Sequence, residues 1–432
     1  MRRSGVGRIR VLQDVVEWGL CIGCGACYSA CGNNAVTLVH DESIGVRPRF
    51  RPGGCADCTD CLSFCPGVRL VSEEGVKAVG RRGKAETLIG PSLEIWEGHA
   101  ADAEVRFRAS SGGVLSALSL YCLERERMRF VLHTGMDPER PWRNTTVASR
   151  TREEVLSHAG SRYAPSSPCD GLRRIEDSDG PCVFIGKPCD AAAVTALRKE
   201  RPRLDRNLGV VLTFFCAGTP CSQATIDLVK KTGIDPAEAE EIRFRGNGWP
   251  GTFKVRGGIA SGSREMEYRD SWGYLARQHR SFRCHLCPDG LGEIADISSG
   301  DAWHRYAADG NPGESVVLVR TGRGREILGK AAAAGYLDLV PSTADKVVAA
   351  QGLVHRRSEV FGRTLGMRLF FLPVPEYRGF HLFGSWLRST PWNMARTVLG
   401  TARRILTRGL WRRDPVPPAG DAIGGSVRSV IP

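Results

Sequence analysis

The chain lacks any apolar stretch long enough to cross a lipid bilayer, which takes roughly 18 consecutive apolar residues. It also lacks an uninterrupted apolar segment near its N-terminus, because Asp14 and Glu17 fall where the core of a signal peptide would lie. These two absences exclude the usual sequence signals for a membrane span and for secretion, and they predict a cytoplasmic location.

A further absence concerns nucleotide binding. No G-x-G-x-x-G motif follows a strand-like segment, and the sequence Gly322-Arg-Gly324 is too short and too surrounded by charge to serve as one. A dinucleotide bound in the conventional Rossmann manner is therefore not expected, so any such cofactor must be held by another arrangement.

Acidic residues are scarce in one region. The 432 residues, enough for two or three domains, carry 60 Lys and Arg against 47 Asp and Glu, a net charge of +13. Between Arg378 and Arg413 there are eight arginines and no Asp or Glu, so this segment alone supplies +8. Because the remainder is only mildly basic, the charge favours an anionic partner for the C-terminal segment over a body that binds nucleic acid.

Sixteen cysteines are abundant for a cytoplasmic protein, in which thiols more often bind metals or act catalytically than form disulfides. Eight of them form two runs with the spacing C-x2-C-x2-C-x3-C, and Pro66 follows the second run. This is the spacing of bacterial two-cluster ferredoxins, in which the fourth cysteine of each run binds the other cluster. One 4Fe–4S cluster is therefore assigned to Cys21, Cys24, Cys27 and Cys65, and the second to Cys55, Cys58, Cys61 and Cys31.

The alternative for these runs is structural zinc, which usually shows two separated CxxC pairs instead of two runs of four. The step of 24 residues from Cys31 to Cys55 is longer than in the smallest ferredoxins. We therefore expect an inserted hairpin around Arg47 to Gly54.

A separate CxxC, Cys284 and Cys287, needs two more soft ligands to complete a tetrahedral site or a cubane. Cys189 and Cys216 each follow a strand-like apolar segment, and α/β proteins place their sites at the carboxyl ends of strands. We therefore predict a third 4Fe–4S cluster held by these four cysteines. A zinc site or a reactive dithiol would be compatible with the same spacing.

Beyond the cysteine runs, apolar strand-like segments alternate with helical patterns, which predicts an α/β body with a mixed, mostly parallel sheet. The expected divisions are a two-cluster ferredoxin-like domain (1–72), a linker (73–87), two parts of the body (88–180 and 181–345, the second with the third cluster), a basic amphipathic helical tail (375–413) and a disordered end (414–432).

Ser110, Ser111, Gly112 and Gly113 stand at the start of the helical pattern that begins at Val114. Free N–H groups and the positive dipole end at a helix start can bind a phosphate. Serine is also a common capping residue, so a plain N-cap explains the same sequence. The motif by itself leaves both interpretations open.

Six short motifs follow the cysteine-rich module in a fixed order. They are Arg108-Ala-Ser-Ser-Gly-Gly113, Gly186-Lys-Pro-Cys189, Phe215-Cys216, Gly246-Asn-Gly-Trp-Pro-Gly251, Arg283-Cys-His-Leu-Cys287 and Ala295-Asp-Ile-Ser-Ser-Gly-Asp-Ala-Trp303. In this combination, residues 20–340 resemble the beta subunit of the coenzyme F420-reducing hydrogenases. The same family includes beta subunits of some formate dehydrogenases and the ferredoxin-dependent 7-hydroxymethyl chlorophyll a reductases.

The resemblance implies an FAD in the α/β body beside a 4Fe–4S cluster, and it supports the four cysteines proposed for that cluster. It also implies that certain residues approach the flavin: Ser110, Ser111, Gly112, Gly113, Lys187, Asp296, Gly300 and Asp301. Lys187, as a cation near the flavin's electron-rich side, and Asp301 are the candidate catalytic residues.

Each of these side chains has a plainer interpretation. Asp296 and Asp301 could be helix caps or loop braces, and Lys187 could be a solvated surface lysine. Trp249 and Trp303 could stack on a planar ring, although large aromatic side chains more often belong to the core.

Electron counting then suggests a function. Hydride carriers give up two electrons together, iron–sulfur clusters take them singly, and a flavin can do both. We expect an oxidoreductase that passes electrons between ferredoxin-type clusters and a hydride carrier, coenzyme F420, through FAD, with ferredoxin or another redox protein as partner. The alternatives are an electron-relay subunit without substrate chemistry and a ferredoxin-dependent reductase of a specialised organic molecule.

The basic tail has its own pattern. Ser389 and Thr390 before Pro391 are a helix-start signal. Apolar residues then recur at three- and four-residue spacing, with arginines opposite or on the flanks: Trp392, Ala395, Val398, Leu399, Ala402, Ile405, Leu406 and Leu410. Such a helix can lie on an anionic membrane, here at its inner face, or dock on the body or on a partner.

Overall fold

A computed structural model describes residues 9–51, 53–55, 58–73, 83–278, 280–305, 311–413 and 421–423. The strands in these residues are β1 (Val36–Asp41), β2 (Gly45–Phe50), β3 (Arg69–Val71), β4 (Glu94–Ala100), β5 (Val131–Met136), β6 (Asn144–Ser149), β7 (Cys182–Gly186), β8 (Leu208–Phe214), β9 (Ala239–Arg243), β10 (Thr252–Gly257), β11 (Ser263–Glu267), β12 (Ile297–Asp301), β13 (Ser315–Val319), β14 (Leu337–Pro341), β15 (Glu376–Arg378) and β16 (Asp421–Ile423).

The α-helices in the same residues are α1 (Leu12–Glu17), α2 (Ala26–Ala30), α3 (Asp60–Phe64), α4 (Lys84–Ile89), α5 (Ala103–Arg108), α6 (Val114–Glu124), α7 (Arg152–Ser157), α8 (Leu172–Glu176), α9 (Pro188–Leu197), α10 (Pro202–Asn207), α11 (Ser222–Lys231), α12 (Tyr268–Arg277), α13 (Phe282–His285), α14 (Gly322–Ala333), α15 (Ala344–Ala350), α16 (Arg357–Leu369), α17 (Leu382–Leu387) and α18 (Pro391–Arg408).

The body is built on an eight-stranded sheet with the order β14-β4-β13-β12-β8-β7-β5-β6. Its four central strands, β12, β8, β7 and β5, run parallel to one another, and the strands on either side pair antiparallel. Strand β13 is buried at every position, because layers cover both faces of the sheet. The predicted mixed α/β fold is confirmed, with its parallel part confined to the four central strands.

The N-terminal module contains the antiparallel hairpin of β1 and β2. Its turn falls at residues 42–44, because the Asp41 carboxylate accepts hydrogen bonds from the backbone N–H groups of Ser43 and Ile44. The expectation of a hairpin around residues 47–54 was therefore wrong in position, since Arg47 to Phe50 belong to the second strand.

Two predicted unstructured segments contain regular structure. Of the expected linker 73–87, residues 74–82 lie outside the described residues, and the helix α4 begins at Lys84. Of the expected disordered end 414–432, only 421–423 are described, and they form β16, which pairs antiparallel with β1. Backbone hydrogen bonding to an existing strand edge, which local composition does not reveal, corrects the second expectation for these three residues.

A second, three-stranded antiparallel sheet of β9, β10 and β11 stands beside the large sheet and packs with α11 and α12 around its own apolar core. Aromatic side chains of this unit, among them Tyr163 and Trp272, point toward the main sheet and line a cavity there. The cavity therefore has one wall from each of the two sheets.

The C-terminal tail docks on the rest of the chain. Helix α18 packs on α16, where Thr397 and Thr401 face Gly362 and Gly366, two positions too close for a larger side chain. Ile405 joins an apolar cluster that includes residues of α1. No described helix is both long and apolar enough to cross a membrane.

Candidate functional site

The carboxyl ends of three neighbouring parallel strands bring the predicted residues together. Strand β7 leads into Lys187 and Cys189, β8 leads into Cys216, and β12 ends at Asp301. Parallel strands share one carboxyl edge, where α/β proteins place their ligands. The site therefore follows from the sheet order.

The cysteines of the two ferredoxin-type runs lie in and around two short helices, α2 and α3. Gly23 and Gly25 have φ values of +71° and +87°, which favour glycine, and they let the loop turn into α2. Backbone N–H groups donate to cysteine sulfur from Gly23 to Cys21 at 3.4 Å and from Ala35 to Cys31 at 3.2 Å. Such donors stabilise the thiolate ligands that a cluster requires.

The pKa shifts of the cysteine thiols show which cysteines are neighbours across the two runs. Burial raises the pKa of the Cys65 thiol, and neighbouring Cys24 and Cys21 raise it further. Burial raises the pKa of the Cys61 thiol to about 12, with further contributions from Cys58, Cys31 and Cys55. Cys65 therefore has neighbours in the first run, and Cys31 is a neighbour of cysteines in the second; the crossed ligand assignment itself stays a prediction.

The other four predicted ligands line one cavity of about 250 Å³. These are Cys189, Cys216, Cys284 and Cys287, and Cys21 of the N-terminal module lines the same cavity. The backbone N–H of Gly218 donates to the Cys216 sulfur at 3.4 Å. Four soft thiols around a common cavity fit an iron–sulfur cluster, and the cavity borders the first N-terminal group.

Arg283 connects the two cysteine groups. It is buried, and its Nη2 donates to the carbonyl oxygen of Pro66 at 2.7 Å, next to Cys65. It also precedes Cys284 and lines the cysteine cavity. A fixed positive charge therefore lies between the predicted third cluster and the N-terminal module.

Lys187 is buried, with 6% of its surface exposed, so the surface-lysine interpretation is wrong. Its Nζ lies 2.7 Å from the Asp190 carboxylate and donates to the carbonyl and hydroxyl oxygens of Ser166. Burial opposes the charged form, but Asp190 outweighs it and raises the pKa of Lys187. Asp190 also accepts from the Lys187 N–H at the start of α9, so the local helix start fixes the pair.

A second cavity, of about 420 Å³, lies beside the cysteine cavity. Six predicted residues line it: Ser110, Ser111, Gly113, Lys187, Gly300 and Asp301. Lys187 and Cys216 line both cavities, so they belong to the wall between them.

The start of α6 at this cavity favours one of the two interpretations of the serine–glycine motif. Among the described residues, no side chain caps this helix start. The Ser110 hydroxyl instead accepts from the backbone N–H of Ser161 at 2.7 Å. The first N–H groups of α6 are thus left for a ligand, as a phosphate-binding site requires.

Two predicted residues do not join this cavity. Asp296 accepts hydrogen bonds from the Val211 N–H and the Thr321 hydroxyl, which matches the bracing role considered as its alternative. Gly112 is packed against the backbone, and its N–H donates to the Ser315 hydroxyl. Gly112 sits between two lining residues but directs its N–H to β13, and Asp296 is engaged with β8 and the start of α14.

Asp301 organises an aromatic wall. Both of its oxygens accept from the guanidinium of Arg245, at 2.7 and 2.8 Å, and Trp249 Nε1 donates to it at 2.7 Å. The Arg245 guanidinium lies over the rings of Tyr268 and Trp303, 4.8 and 5.5 Å from their centroids. Trp303 stacks between Trp249 and Tyr268. Trp303 and Tyr268 line the cavity, whereas Trp249 supports Trp303 from behind and is not part of the lining.

Sequence reasoning missed Arg245, whose only signal was its place directly before the Gly246–Gly251 motif. It also missed a histidine pair, His133 and His158, on the cavity wall, with ring centroids 5.7 Å apart. Burial, and then His158, lowers the pKa of His133 to about 3. Burial also lowers the pKa of His158.

This pair predicts a pH dependence of stability. The folded pKa of His133 lies below its usual 6.5, so its contribution is present above pH 6.5 and is lost as pH falls toward 3. Between pH 7.5 and 5.5 we expect the loss of about 1 kcal/mol from this residue. His133→Gln should flatten the fall of the unfolding midpoint measured by anaerobic thermal scans.

The exposed His355 offers the matched control, since His355→Gln should keep the wild-type pH dependence. A His133→Gln variant with the same slope as the wild type would contradict the assignment.

Comparison with known proteins identifies the family. The model for the C-terminal region of the coenzyme F420 hydrogenase/dehydrogenase beta subunit matches residues 181–345, and that for its N-terminal region matches residues 95–172. The chain belongs to this family. A 4Fe–4S dicluster domain matches residues 20–67, the segment that holds both cysteine runs, which supports iron–sulfur clusters there over structural zinc.

Individual proteins similar to this chain carry the same family name or act with the same coenzyme by name. Coenzyme F420 hydrogenase subunit beta of Methanosarcina barkeri is 25% identical over 264 residues, 59% of this chain and 83% of the relative. Coenzyme F420-dependent sulfite reductase of Methanocaldococcus jannaschii is 23% identical over 337 residues, 73% of this chain and 46% of the relative. A chain of the F420-reducing [NiFe] hydrogenase complex from Methanosarcina barkeri shares the fold, with a TM-score of 0.50 and 21% identity over 65% of this chain and 95% of that chain.

Proposed function

We propose that this family member passes electrons between ferredoxin-type 4Fe–4S clusters and coenzyme F420 through FAD. One observation carries the proposal: Lys187 and Cys216 line both the cysteine cavity and the larger cavity. A cluster in the first and a flavin in the second would be separated by one layer of side chains, which suits electron transfer between them.

The order of the clusters follows from which cysteines share a cavity. Cys21 lines the cavity of the proposed third cluster, so the cluster of Cys21, Cys24, Cys27 and Cys65 would be its neighbour. The cluster of Cys55, Cys58, Cys61 and Cys31 would then be the outer one, where a redox partner protein delivers or collects electrons. Relatives named as subunits of hydrogenases support such a partner for this chain.

The larger cavity offers groups suited to each part of FAD. When bound, FAD would exchange single electrons with clusters and a hydride with coenzyme F420. The free N–H groups at the start of α6 would bind its phosphates. The stacked pair of Trp303 and Tyr268 would form an aromatic wall beside a planar ring, and Asp301 holds Arg245 against these two side chains. Lys187 would stabilise negative charge on the flavin from the cluster side.

Analysis of the anaerobically purified full chain tests the cofactor set. We expect about twelve iron and twelve sulfide, three clusters of four, with one FAD per chain. About eight iron with zinc and no flavin would contradict the proposal and leave an electron-relay protein. FMN in place of FAD would correct the identity of the flavin only.

The substrate is tested by turnover. The same preparation should oxidise reduced coenzyme F420 with an artificial one-electron acceptor. A preparation with all clusters and flavin but no such turnover would favour an electron-relay subunit or a reductase of another organic molecule.

A further inference from the structure

Exposed apolar side chains are concentrated in the C-terminal part of the chain, from the end of α16 to just beyond α18. Among the described residues, fourteen large apolar side chains are exposed, and eight of them lie in the 43 residues from 369 to 411. These eight are Leu369, Phe371, Phe383, Leu387, Trp392, Leu399, Leu406 and Trp411. Solvent-facing apolar groups gathered in one region indicate an interaction surface.

Helix α18 divides its apolar residues between two faces. Thr397, Thr401 and Ile405 are buried, whereas Trp392, Leu399 and Leu406 are 62–77% exposed. Residues seven apart are displaced by only about 20° around a helix, so these three form one stripe that is about 21 Å long. A helix that served only the fold would bury this stripe, because burial of leucine and tryptophan is favourable.

Positive charge borders the stripe. Arg396 and Arg403 lie one turn beyond Trp392 and Leu399 on the same side, and between Arg378 and Arg413 the chain has no Asp or Glu. Arg396 pairs with Glu359, but in the described part of the chain no carboxylate pairs with Arg403, Arg408 or Arg412. The surface is therefore both apolar and cationic.

We propose that this surface, formed by α18 with the exposed residues of α17 and the end of α16, binds an anionic lipid bilayer with α18 parallel to the membrane plane. Trp392 at one end of the stripe and Trp411 just beyond the other would lie at the headgroup level, where tryptophan is enriched. The leucines enter the acyl boundary, and the unpaired arginines meet anionic headgroups. The inference stands independently of the proposed catalytic function.

Vesicle sedimentation with the anaerobically prepared full chain tests it. We expect binding to vesicles of phosphatidylcholine with phosphatidylglycerol, at least about tenfold weaker binding to phosphatidylcholine alone, and weakening by added salt. The double variant Leu399→Asp/Leu406→Asp should lower binding to the anionic vesicles by at least about tenfold, because it replaces the apolar side chains that the bilayer would bury.

Ile259→Asp is the matched control, because Ile259 is fully exposed in the turn between β10 and β11 and belongs to neither α17 nor α18. This control should bind like the wild type, and all variants should keep their iron content. If the leucine variant bound anionic vesicles as well as the wild type, or if the wild type did not bind them, the proposal would be overturned. A protein partner would then remain for this surface.

Discussion

Replacement of Cys216 by alanine is expected to lower the iron content from about twelve to about eight atoms per chain. Cys216 lines both cavities, so the variant should also block electron transfer from reduced coenzyme F420 to the N-terminal clusters. Reduction of the flavin by coenzyme F420 should persist, because that step does not pass through the third cluster. Iron analysis and anaerobic absorbance spectra measure the two effects separately.

Cys221 provides the control for this experiment. It is a buried thiol that lines the same cavity, at the start of α11, but it lies outside the predicted ligand set. Cys221→Ala should keep about twelve iron atoms and normal transfer. Twelve iron atoms in Cys216→Ala, or a loss of four in Cys221→Ala, would show that the ligand set is wrong.

Lys187→Met is expected to destabilise the fold by about 3–5 kcal/mol, because it leaves the buried Asp190 carboxylate without its cation. The variant should also lose its flavin, as Lys187 lines the proposed FAD cavity. The free energy of unfolding and the flavin content of the purified protein measure the two consequences.

The double variant Lys187→Met/Asp190→Asn distinguishes the two consequences. It removes both charges while keeping an oxygen for the Lys187 N–H, so it should recover most of the stability. Its flavin should remain weakly bound if Lys187 contacts the cofactor. A double variant with full flavin content would leave Lys187 only a structural role.

Lys199→Met serves as a control. Lys199 pairs with Glu73 on the surface, with about half of each side chain exposed, so its loss should change stability by no more than about 0.5 kcal/mol.

Local spacing carried much of the prediction. The spacing of the cysteine runs predicts iron–sulfur binding, because the loop around a cluster depends on intervals of a few residues. The dicluster domain that matches residues 20–67 agrees with this prediction. The alternation of buried strands and helices likewise predicted an α/β body. The position of the hairpin was missed because it depends on one side chain, Asp41, that caps the turn.

Contacts between distant segments were harder to predict. Asp296 directly precedes β12 and Asp301 ends it, yet one braces β8 and the other pairs with Arg245. The histidine pair joins β5 to the end of α7, and no short motif contains both residues. Similarly, the tail sequence showed an amphipathic helix but not which face is buried.

The sequence by itself determined the cluster-binding module, the α/β class and the family, because these depend on short intervals and on the periodicity of apolar residues. Only the tertiary structure decided that Lys187 and Cys216 belong to a wall shared by two cavities. It also decided that α18 packs through Thr397, Thr401 and Ile405 and leaves Trp392, Leu399 and Leu406 exposed. The shared wall depends on the order of the strands, and the packing of α18 depends on its close fit against α16. Both involve residues far apart in the chain, whose packing no local sequence pattern specifies.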